Sequence, residues 1–196
     1  MDFGCAAYCP YAEQCLGDLP PELVAQQENL FKDRVALEMK RLFGRDFRRI
    51  GRATRAARYA EQLARAEGGN LAVILSAVYL REVGRPEDPS GRPAPPDPSA
   101  AVDVLARLKA SEGIVEGVRA ILGRTDPVDA GSPLEDRIVS DAVRLGEMEA
   151  RLGKGSEASD PAAAGIDELL TPSGRQAALR LADAGSPASG ERQPPR

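Results

Sequence analysis

The chain of 196 residues contains no histidine, so imidazole is missing from any metal site it could build. Aromatic residues are only 4% of the sequence, which favours helices packed on small side chains over a sheet rich in aromatic and β-branched residues. No apolar run approaches the roughly 18 residues that a membrane helix needs. No basic stretch followed by an apolar one marks an N-terminal secretion signal, so the expectation is a cytoplasmic protein with no membrane partner. The net charge of -4 gives the chain as a whole no bias toward nucleic acid. Cysteine is confined to Cys5, Cys9 and Cys15, an odd number bunched in a short segment, which is a poor disulfide framework.

What is present is helix-forming. Alanine, leucine and arginine dominate, interrupted by 19 glycines and 16 prolines. A helix is expected over 21–42, with Val24, Phe31, Val35, Met39 and Leu42 on one face. Gly44 interrupts it. A second helix over about 46–66 carries Ile50, Ala53, Ala57, Ala60 and Ala64, and Gly68-Gly69 closes it. Asn70 caps a third, which is the most apolar and therefore central, and which the reading carries on to Gly84. Six prolines make 85–98 a loop. Further helices are expected at 99–109, 112–122 and 133–152, with short docking helices at 166–170 and 172–183 in a Gly/Ala/Ser/Pro-rich tail. Nothing calls for a strand. The division is a cysteine-bearing segment 1–19, a helical domain 20–152, and a flexible tail 153–196.

Two stretches carry more than periodicity. Arg49-Ile50-Gly51-Arg52-Ala53 opens one and Leu80-Arg81-Glu82-Val83-Gly84 ends the other. They resemble the R-I-G-H-A and L-H-D-I-G motifs of the HD-domain metal-dependent phosphohydrolases, over about Phe43 to Leu152. The resemblance implies an all-α HD-domain-like bundle. In that family two histidine positions, an aspartate beside one of them and a late aspartate hold one or two divalent metals, which activate a water against phosphorus. Here Arg52 and Arg81 take the histidine places and Glu82 takes the aspartate place. Asp141-Ala142-Val143-Arg144-Leu145 matches D-A-D-R-L, with Val143 at the ligand position. Gly123-Arg124-Thr125 stands where some relatives carry G-H-H.

A guanidinium offers no lone pair to a metal and stays protonated. At about 4 Å two unit charges interact by roughly 4 kcal/mol even at an effective dielectric of about 20, so paired arginines repel a divalent cation. No dimetal centre is expected in this pocket. Three arrangements stay open: an internal ion-pair network of Arg52, Arg81 and Glu82; a phosphate clamp of Arg52, Arg81 and Arg124; or arginines that simply reach solvent. The leading functional expectation is a non-catalytic binding or regulatory module for a phosphate-containing small molecule or a protein partner. The alternative is a phosphohydrolase with an atypical site using Glu82 and Asp141.

Cys5, Cys9 and Cys15, spaced C-x3-C-x5-C, suit zinc or an iron–sulfur cluster, with a fourth zinc ligand still to be supplied. Read otherwise, they are small buried hydrophobes or redox-active thiols. Finally, Lys40 to Arg58 holds eight basic residues and one acid, Asp46. A solvated basic face is the main expectation there, and nucleic-acid binding is a third functional reading.

Overall fold

The computed structural model describes residues 21–84, 97–152 and 165–185; Cys5, Cys9 and Cys15 lie outside them. Seven α-helices and one 3₁₀ turn account for the regular structure of the described residues, and no strand occurs among them. The helices are α1 (Pro21–Phe43), α2 (Phe47–Glu67), α3 (Leu71–Leu80), α4 (Pro98–Arg107), α5 (Glu112–Leu122), α6 (Leu134–Leu152) and α7 (Pro172–Gly185). The 3₁₀ turn is Ile166–Glu168.

Their limits follow from local chemistry. Gly44 takes a φ of 56°, open to glycine at little cost, and separates α1 from α2. Asp46 then caps α2 by accepting from the Arg49 backbone N–H at 2.9 Å. Asn70 does the same for α3 through Val73 N–H at 3.2 Å, and Asp97 for α4 through Ser99 N–H at 2.9 Å.

Helix α3 is buried all round: Val73, Ile74, Leu75, Ala77, Val78 and Leu80 are each at most 5% exposed. It packs against α1, α2, α5 and α6, which makes it the axis of the bundle. Helix α2 lies against α6 along a seam of small residues. A Cβ on Gly146 would come 3.2 Å from the Ala56 backbone nitrogen. The opposite end of α2 meets the start of α6, where the Asn70 N–H donates to Glu135 at 3.2 Å, so the two helices run antiparallel. Alanines at 53, 56, 57, 60 and 64 permit that approach.

Four expectations are corrected. The third helix does not reach Gly84: α3 ends at Leu80, and Arg81–Gly84 form a turn. Gly84 has a φ of 76°, and a Cβ there would meet Ala100 at 2.6 Å, so the chain leaves the helix to clear α4. Leu42, expected on the buried face of α1, is 43% exposed in the last turn of that helix, beside the Gly44 break. The short helix expected at 166–170 is a 3₁₀ turn, and α7 runs two residues beyond its expected end.

The C-terminal segment docks through a buried carboxylate. Asp141 is fully buried on α6 and accepts from the Leu170 N–H (2.9 and 3.1 Å), the Thr171 N–H (2.8 Å) and the Thr171 hydroxyl (2.7 Å). These are donors at the start of α7 that the helix itself leaves unpaired. A side chain on Gly174 would put its Cβ 2.6 Å from the Asp141 carboxylate, so the junction requires glycine. Ile166, Leu169 and Ala178 then complete the core.

Candidate functional site

The turn after α3 faces the first turns of α2. Arg52 grips Glu82 with two parallel bonds, Nε to Oε1 at 3.0 Å and Nη2 to Oε2 at 2.7 Å. The side chains are 35% and 19% exposed, so the pair sits at the rim of the bundle rather than in bulk water. This fork is the strongest geometry an arginine and a carboxylate adopt.

Arg81 lies beside Glu82 and is mostly buried. Burial pushes its guanidinium below the usual arginine value, and the charges of Glu147 and Glu82 act in the opposite direction. Glu147 comes from α6, four residues after Val143 and therefore one turn along the same face. Val143 itself is half-buried and packs against the core. Arg55 adds a third cation. Its Cβ lies against Gly146, its Nη1 reaches back toward Gly51, and its buried Nε has no hydrogen-bond partner. Arg52 and Arg55, one turn apart on α2, and Arg81 thus bring three guanidiniums to the end of the bundle that holds Glu82, whereas Glu147 is exposed, lies 3.9 Å from Arg151 and reaches Arg81 through its charge alone.

Two residues placed in the pocket by the motif match sit elsewhere. Arg124 forks onto Asp136, Nε to Oδ1 at 3.2 Å and Nη2 to Oδ2 at 2.8 Å, and this bond raises its pKa. Asp136 precedes Glu147 by eleven residues, roughly 16 Å of helix at 1.5 Å per residue. Asp141 is about 9 Å along α6 from Glu147 by the same measure, and its oxygens are committed to Leu170 and Thr171. The structure thus brings Arg52, Arg81 and Glu82 together and leaves Arg124 and Asp141 out. Sequence reasoning missed Glu147. Its spacing of four from Val143 was the available signal; it is solvent-facing, as a glutamate on an amphipathic helix is expected to be, and acts on Arg81 through its charge.

The residues do not fit a divalent metal pair. Glu82 spends both oxygens on Arg52, a cation within hydrogen-bond distance, and Arg81 adds a second positive charge beside it. Among the described residues no group of three or more histidine, cysteine, aspartate or glutamate side chains is placed to hold a metal ion. No helix of the described residues is long and apolar enough to cross a membrane.

Neither a protein-family model nor a curated protein matches the chain. Among solved structures, the crystal structure of Bacillus subtilis YpgQ in complex with ADP is similar, with a TM-score of 0.58 and 19% sequence identity. The match covers 80% of this chain and 89% of that one. At this identity the likeness is one of fold, and the fold is the HD-domain-like helical bundle that the motifs resemble.

Proposed function

We propose that the protein is a non-catalytic binding or regulatory module whose arginine cluster at Arg52, Arg55 and Arg81 takes a phosphate group of a small molecule. The observation that carries this reading is the Arg52–Glu82 fork, which stands where the motif resemblance implies metal ligands. A phosphohydrolase of this class needs a metal-bound water, and a guanidinium supplies neither a metal ligand nor a base. What guanidiniums do well is grip phosphate oxygens in pairs. Arg55 and Arg81 add two guanidiniums near the Arg52–Glu82 fork, and the buried Arg55 Nε has no hydrogen-bond partner. A phosphate entering beside Arg81 would meet Arg55 and compete with Glu82 for Arg52. The ADP in the similar solved structure supports a nucleotide phosphate as the ligand class to try first.

Titration calorimetry with ADP in metal-free buffer tests the reading. Binding at one site per chain, weakened at least about tenfold by Arg81→Gln, a loss of about 1.4 kcal/mol, is expected. ADP binding that Arg81→Gln and Arg55→Gln leave unchanged, or no ADP binding at all, overturns it.

A further inference from the structure

The corner where α1 turns into α2 is strongly basic in a chain whose net charge is -4. Lys40, Arg41, Arg45 and Arg48 are all exposed. Of these only Arg41 has an ion-pair partner among the described residues, Glu38 at 3.9 Å. The single acid of the corner, Asp46, is occupied by capping α2 and by Arg49, at 2.9 and 3.2 Å. Between Arg45 and Arg48 stands Phe47, 77% exposed, the most exposed of the large hydrophobic residues described. A phenyl ring this exposed buries little apolar surface against the bundle.

This corner is continuous with the Arg52–Glu82 fork. Gly51 does not break α2, which runs unbroken through Arg48, Arg52 and Arg55. These three residues fall at helical spacing on one side, Arg48 about 6 Å along the axis before Arg52. The arginine lane therefore leads from solvent to the Arg52–Glu82 fork, at a rise per turn comparable to the spacing of phosphates along an extended strand. A lone nucleotide would use only its inner end.

We propose that the ligand is the phosphate-bearing end of a single-stranded nucleic acid, its terminal phosphate among Arg52, Arg55 and Arg81, its following backbone along Arg48 and Arg45, and a base on Phe47. The placing of the terminal phosphate rests on the functional reading above; the corner is an independent observation. Stacking on an exposed aromatic with cations along the backbone is how sequence-tolerant single-strand binding is built. A duplex does not offer an unstacked base to Phe47, and so is disfavoured.

The test uses the full chain and fluorescence anisotropy of a short labelled oligothymidylate, with and without a terminal phosphate at either end. Expected are binding that falls with salt, at least about tenfold tighter when one end carries phosphate, and competition by ADP. Phe47→Ala and Arg48→Gln should each weaken the oligonucleotide about tenfold while ADP affinity is unchanged. Both residues are exposed, and unchanged thermal melting verifies that the variants fold. An oligonucleotide that fails to bind while ADP binds overturns this inference and leaves the pocket reading standing; failure of both overturns both. Binding indifferent to Phe47→Ala and Arg48→Gln also overturns it. So does association with anionic phospholipid vesicles in place of the oligonucleotide, which would make the corner a lipid contact.

Discussion

Arg52 on α2 holds both carboxylate oxygens of Glu82, thirty residues later in the chain, and so ties the start of α2 to the turn that ends α3. The two side chains stand in the places where the motif resemblance implies a metal-binding histidine and aspartate. Arg81, next to Glu82 in the chain, adds a second guanidinium beside them.

The first consequence is an asymmetry. Arg52→Gln leaves Glu82 with Arg81 as a neighbouring cation, whereas Glu82→Gln removes the carboxylate that lies beside both Arg52 and Arg81. Chemical denaturation should show Glu82→Gln costing more stability than Arg52→Gln, with a coupling in the double variant of about 1–2 kcal/mol. That is more than an exposed pair gives, because the fork is bidentate and half-buried. Equal costs, or a coupling near zero, would count against the cluster.

Asp141 carries the attachment of the C-terminal segment. Asp141→Ala should cost about 3 kcal/mol, since it strands the Leu170 and Thr171 donors in a buried junction. Limited proteolysis should then cut between residues 165 and 185 while the rest of the bundle survives. A variant as stable and as protease-resistant as the parent contradicts this role.

Acid should loosen the same junction. Glu67 accepts the Ser173 N–H at 2.8 Å, and the Ser173 hydroxyl first, with this backbone bond after it, holds its carboxyl below the ordinary value of 4.5. A depressed carboxyl contributes its stability above its unfolded pKa and loses it as pH falls through the folded one. The melting-temperature gap between the parent and Glu67→Gln should therefore be present at neutral pH and close as pH drops below about 4.5. A gap that stays constant through the acid range rules out this linkage.

Outside the described residues, we propose that Cys5, Cys9 and Cys15 hold a metal, with zinc first. Elemental analysis of anaerobically purified protein should find about one zinc per chain, lost in the triple serine variant. A brown preparation containing several irons would assign a cluster instead, and metal-free protein would leave the thiols with no such role.

The helices were legible because glycine, proline and capping residues punctuate strong apolar periods, and Asn70 and Gly44 act at the positions the sequence marks. The end of α3 was not, because Arg81–Gly84 leave the helix to avoid α4, a contact invisible to local pattern. At the site, the motif match aligned Arg52 with Glu82, and their spacing of thirty says nothing of a fork. Arg124 was matched to the pocket from its place in a motif, but Asp136 claims it from across the loop before α6. Asp141 looked available for chemistry because the sequence does not reveal that the start of α7 folds back onto it.

Phosphate release from nucleotides and phosphodiesters, assayed with manganese, iron, cobalt and magnesium in turn, tests the reading of the pocket most directly. Release should stay at background with every metal and be unaltered by Glu82→Ala, while ADP is still bound by the parent protein. Metal-dependent turnover that Glu82→Ala abolishes would make the protein an enzyme and contradict the account.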